Sequence, residues 1–102
     1  MTVQITINSK FTANDLNREL KGLKRSPWSS KLRKDWPGFM WRHRRCKRGS
    51  IRIRKDKPLS SGYKRIKITA VGQDDAKLTS EFVEWILTHF GPKLKTMYIT
   101  PR

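Results

Sequence analysis

The chain opens on an alternation in which Val3, Ile5 and Ile7 are separated by Gln4 and Thr6 and flanked by Thr2 and Asn8. Successive side chains of a strand point to opposite faces, so this period of two predicts a half-buried β-strand. The period then lengthens. Thr12 and Asp15 have the spacing of a capping box, and Leu16, Leu20 and Leu23 follow at intervals of four and three until Ser26-Pro27 ends the pattern. That predicts a first helix over about residues 13 to 25. A second is predicted where Asp74 and Asp75 suit a helix N-terminus, Leu78, Phe82, Ile86 and Phe90 form a stripe, and Gly91-Pro92 supplies the stop. The stripe reads as core.

Two further alternating segments lie between the helices. Ser50 to Lys55 turns Ile51 and Ile53 inward, and Tyr63 to Val71 does the same with Ile66, Ile68 and Ala70; Pro58 and Ser60-Ser61-Gly62 join them as a hairpin. A last strand, Thr96 to Thr100, has Met97 and Ile99 on one face and Tyr98 on the other. The order strand, helix, strand, strand, helix, strand predicts an α+β fold of ferredoxin-like βαββαβ type, with both helices on one sheet face and the other face open. Residues 26–49 form a long basic, Arg- and Trp-rich insertion after the first helix. A structureless loop of that length is uncommon in a compact domain. Either Phe39 to Arg45 is an extra strand that turns through Lys47-Arg48-Gly49 into Ser50 to Lys55, widening the sheet or projecting as a β-ribbon, or a short helix starts at Ser30.

Composition sharpens this outline. The 102 residues are one domain's worth of sequence, and a 35% apolar share implies a thin core, while ten aromatics, four of them Trp, argue against a disordered tail. No run of about 18 apolar residues exists, and the start MTVQITINSK has no apolar signal region, so membrane and secretory readings are disfavoured and a cytoplasmic protein is expected. Cys46 is the only cysteine. It can form no internal disulfide and reads as an incidental thiol among basic residues, whose cations could also lower its pKa and make it easily oxidised.

The distribution of charge matters more than its total. From Arg18 to Lys67 there are nineteen Lys or Arg against Glu19, Asp35 and Asp56, whereas the rest of the chain has five of each sign. Crowding of one sign destabilises a compact state and points to a polyanionic partner. The densest stretch, Trp41-Arg42-His43-Arg44-Arg45-Cys46-Lys47-Arg48, is Arg-rich, and guanidinium forks match phosphate oxygens bidentately. Trp28, Trp36, Phe39 and Trp41 are interleaved with these cations and could close the core or stack on bases, with Trp41 the preferred exposed candidate. In the expected hairpin Arg52, Arg54, Arg65 and Lys67 point outward, where like charges opposed across strands would be relieved by an anion. Tyr63 and Tyr98 share that outward parity.

Here the arrangement resembles in topology the RNA-recognition-motif family, whose open sheet presents aromatics to single-stranded RNA. That family's motif K/R-G-F/Y-G/A-F-V-x-F/Y is absent from Tyr63-Lys64-Arg65-Ile66-Lys67-Ile68-Thr69, so no membership follows. Enzyme readings have little to stand on. No acid pair or His/Cys cluster has metal-ligand spacing, no glycine loop cradles a phosphate, and no cofactor is expected. A metal-free ribonuclease would need His43 as general base with Arg44 or Arg45 steadying the phosphorane.

The expectation is therefore a nucleic-acid-binding protein of low sequence specificity for RNA or DNA. It would contact phosphates through Arg42, Arg44, Arg45, Lys47, Arg48, Arg52, Arg54, Arg65 and Lys67, with Trp41, Tyr63 and Tyr98 for stacking. The alternative is a small basic interaction protein of phage or plasmid type that docks on a protein of nucleic-acid metabolism or another acidic surface.

Overall fold

A computed structural model describes residues 2–22, 26–31, 38–55 and 62–101, with the side chains of Lys31 and Lys55 excepted. The expectations for Leu23, Trp36 and the Pro58 link lie outside these residues. The elements are β1 (Thr2–Ser9), α1 (Ala13–Gly22), β2 (Trp28–Lys31), β3 (Phe39–His43), β4 (Cys46–Lys55), β5 (Lys64–Gly72), α2 (Asp75–Phe90), a 3-10 turn (Gly91–Lys93) and β6 (Leu94–Pro101). The strands form one antiparallel sheet in the order β2-β3-β4-β5-β1-β6.

The fold is α+β as expected, but six strands exceed the four of a ferredoxin-like arrangement. The four anticipated strands lie side by side as β4-β5-β1-β6, and the insertion supplies the other two. Phe39 onward is the extra strand, turning at Arg44-Arg45 rather than at Lys47-Arg48-Gly49. Ser30 sits in a strand and starts no helix. The strand β2 has no counterpart among the expected elements, because its four residues, Trp28-Ser29-Ser30-Lys31, contain one apolar side chain and so carry no readable alternation.

Pairing in register turns the sequence alternation into rows. Phe39, Ile53, Ile68, Ile5 and Ile99 stand opposite one another across five strands, and all but the edge residue Ile99 belong to the core or pack against it. Both helices cover this face. Leu16 and Leu20 of α1 and Leu78, Phe82, Ile86 and Phe90 of α2 are buried on it. The cap of α1 is reciprocal: the Asp15 N–H donates to Thr12 Oγ1 at 3.2 Å and the Thr12 N–H donates to Asp15 Oδ2 at 2.9 Å, satisfying donors that a helix start leaves open. The hydrogen bond from the Thr12 N–H is the main reason the Asp15 carboxyl lies below its ordinary range, with the Thr12 hydroxyl, Arg18 and Lys93 adding to it against the opposing effect of burial.

Trp28, Trp41 and Trp85 are all buried. At roughly 150–250 Å² each, they supply area that the low apolar share would otherwise leave missing. Trp28 meets Phe82 edge-on at 5.7 Å and His43 at 4.7 Å between ring centroids, which ties the short edge strand β2 to α2. Beside the start of α2, next to Leu78, the backbones of β4 and β5 come close. A Cβ on Gly49 would stand 2.5 Å from the Val71 carbonyl oxygen, and one on Gly72, whose φ is +100°, would stand 2.3 Å from that of Arg48. Only glycine fits this paired position. Among the described residues no helix is long and apolar enough to cross a membrane.

Candidate nucleic-acid interface

The helices leave the second sheet face open, and register decides what that face presents. Arg54 stands opposite Lys67, Lys67 opposite Thr6 and Thr6 opposite Tyr98. In the next row Met40, Arg52, Thr69, Gln4 and Thr100 follow one another. Arg65 faces Asn8, which faces Thr96, and Arg42 of β3 faces Ser29 of β2. The Arg65 Nε donates to Asn8 Oδ1 at 3.4 Å while Asn8 Nδ2 donates to Thr96 Oγ1 at 2.7 Å, so a chain of side chains aims the guanidinium. Thr2, Gln4, Arg54, Lys67 and Thr69 line a shallow depression in the same face.

No Asp or Glu occurs in any of the six strands. The acids of the described residues all lie on α1, on α2 or in the turn before α2: Asp15, Glu19, Asp74, Asp75, Glu81 and Glu84. Among the described residues the sheet thus divides the charge, with cations on the open side and the carboxylates on the helix side.

The β3–β4 hairpin divides its arginines in the same way. The Arg45 guanidinium lies 3.3 Å from Glu81 Oε2. Arg48 is held at the start of α2, 3.6 Å from Asp74 Oδ1 and donating to Gln73 Oε1 at 3.0 Å, while its backbone N–H donates to Asp74 Oδ2. These two expected phosphate ligands are therefore spent in part on the helix-side acids, and Arg42, Arg44 and Lys47 remain exposed at the hairpin.

The aromatic part of the expected site is reorganised. Trp41, anticipated as an exposed platform, is 2% exposed, and its indole N–H donates to the buried Asn17 Oδ1 at 2.9 Å. Residues 39, 41 and 43 share the inward parity of β3, which turns them toward the helices. Tyr63 is half-buried, with the Lys95 ammonium 4.5 Å from its ring centroid. Tyr98, at 58% exposure, is the open aromatic on this face among the described residues.

His43 follows Trp41 into the core. Its Nδ1 accepts the Arg45 N–H at 3.1 Å, which leaves the ring proton on Nε2, 3.7 Å from Glu81 Oε2 and beyond hydrogen-bond reach. Burial holds its pKa below the ordinary value, outweighing the pull of Glu81, with Arg45, Arg44 and Lys77 acting in the same direction as burial. The imidazole is 2% exposed and lies on the inward parity of β3. Cys46 corrects a second expectation, because burial raises its thiol pKa despite the cations nearby. His89, at the end of α2, places Nδ1 3.0 Å from the Trp85 carbonyl oxygen. Among the described residues no group of three or more His, Cys, Asp or Glu could hold a metal ion.

Set against protein-family models, curated proteins and solved structures, the chain finds no match in any of the three.

Proposed function

We propose that this protein binds nucleic acid across the open face of its sheet, holding the phosphate backbone with Arg42, Arg52, Arg54, Arg65 and Lys67. The observation that carries this reading is the complete absence of carboxylates from all six strands beside that row of cations. A face that serves solubility alone mixes both signs. Neutral hydroxyl and amide groups at Thr2, Gln4, Thr6 and Thr69 border the cations and offer further hydrogen bonds to sugar or phosphate. With Trp28, Trp41 and Trp85 drawn into the core, base stacking falls, among the described residues, to Tyr98, and sequence specificity is low because phosphate contacts carry no sequence information. On this reading β4-β5-β1-β6 and the two helices are a ferredoxin-like unit that β2 and β3 widen toward the hairpin.

The test is the affinity for RNA and DNA oligonucleotides as a function of salt. Log affinity should fall linearly with log salt, by about 0.7–0.9 for each neutralised phosphate. No binding at low salt, or an affinity indifferent to salt, would overturn the reading. A second reading, docking on an acidic protein surface, is favoured by one observation: Leu87 of α2 and Ile99 of the edge strand β6, both exposed large hydrophobics, line one groove on the helix side. Partners that survive nuclease treatment in a pull-down would support it.

A further inference from the structure

The hairpin holds a concavity that the open face does not include. Ser26, Pro27, Ser29, Arg42, His43, Arg44 and Lys47 line a cleft of about 480 Å³ beside the start of β2, within the range of small-molecule sites of about 300–1,000 Å³. Its walls are fixed by hydrogen bonds from backbone N–H groups. The Arg44 N–H donates to the Pro27 carbonyl oxygen at 2.8 Å, clamping the turn onto the segment that leads into β2. The Trp28 N–H donates to Ser26 Oγ at 3.0 Å, and the Arg45 N–H donates to His43 Nδ1. Consecutive arginines thereby take opposite sides of the turn, Arg45 on Glu81 and Arg44 in the cleft.

Arg42, Arg44, Lys47 and two serines line this cleft, with no Asp or Glu among the described residues that do. A phosphodiester carries a single charge, whereas a phosphate monoester carries about −1.5 to −2 at neutral pH. Three cationic residues lining one concavity match the second better than the first. The pyrrolidine of Pro27 gives an apolar wall on which a sugar or base can rest. Arg42 belongs both to this cleft and to the open face, so a strand lying on the sheet could reach the cleft at the β2 edge with its end.

We propose that the hairpin cleft is a binding site for the terminal phosphate monoester of a nucleic-acid strand, seated by Arg44, Lys47 and Arg42. The proposal rests on the nucleic-acid reading of the open face and adds a preference for chain ends. It is tested by fluorescence anisotropy with one short oligonucleotide sequence, as RNA and as DNA, bearing a 5′-phosphate, a 3′-phosphate or hydroxyl ends. A terminal phosphate at one end should tighten binding about tenfold, the size expected of a charged hydrogen-bonded contact, and the end that does so fixes the polarity of the strand. In the Arg44→Ala, Lys47→Ala double variant the ratio of phosphorylated to hydroxyl-ended affinity should fall to about one. The ratio cancels the loss of field common to both forms, and alanine keeps the Arg44 backbone donor that holds the turn. Normal binding of all three forms with equal affinity overturns the cleft and leaves the open face standing, as does a phosphate preference that survives in the double variant. Failure of every oligonucleotide to bind overturns both.

Discussion

On the covered side of β5, Ile66, Ile68 and Ala70 are no more than 1% exposed, whereas Arg65, Lys67 and Thr69 lie on the opposite face, to which the strands contribute no Asp or Glu. The same strand thus serves two surfaces with opposite requirements, and the pleat keeps them apart at single-residue spacing. The helix side is where the protein is stable and where its acids are placed. The open side contributes field. Where charges cross between the two, at Arg45 with Glu81 and Arg48 with Asp74, they are already paired. Stability and binding should therefore be separable by substitution.

The largest expected effect is on the covered side. Phe82→Ala removes a fully buried ring that packs on Trp28 and Trp85 and should cost about 3–5 kcal/mol in denaturant unfolding. On the open side, Arg52→Ala with Arg54→Ala should weaken oligonucleotide binding by about 2 kcal/mol and flatten the salt slope by about 0.7–0.9 for each phosphate no longer neutralised. The control pair Arg45→Ala with Arg48→Ala should change that slope less, since both arginines face helix-side acids; equal effects from the two pairs would erase the distinction between the faces. Trp41→Phe keeps an aromatic ring but leaves the buried Asn17 Oδ1 without its donor, for an expected loss of about 1–3 kcal/mol in stability and none in oligonucleotide affinity.

The smallest effect is in the pH dependence of unfolding. His43 and Asp15 both have lowered pKa values in the fold, so the unfolded chain binds protons more readily. Stability should be full above the ordinary imidazole range. It should fall as pH drops through that range, as His43 is asked to charge in the core, and again through the carboxylate range as Asp15 is protonated. Thermal melts of His43→Asn against the parent would isolate the first step, and Thr12→Ala would reduce the second.

Much of this division is legible in the alternation alone, because strands β1, β4, β5 and β6 and both helices have strong periods and recognisable ends. The cap at Thr12 and Asp15 and the stripe from Leu78 to Phe90 stand where the pattern puts them. The strand β3 is harder to read: Phe39, Trp41 and His43 alternate with Met40 and Arg42, but the arginines around them suggest an exposed, charged segment. The decisive fact, that α1 reaches β3 and takes Trp41 through Asn17, joins residues 24 positions apart. No local pattern carries it. The pairing of Arg45 and Arg48 with acids at α2 is hidden for the same reason, since linear charge counts treat every cation in the segment alike.

Burial of Cys46 has a practical consequence. As the chain's single thiol, fully enclosed and disinclined to ionise, it should react with an alkylating reagent only when the β3–β4 hairpin lifts from α2. The labelling rate at neutral pH then becomes a clock for that opening. A strand end seated against Arg44 and Lys47 should slow the clock, while a ligand confined to the far rows of the sheet should leave it running.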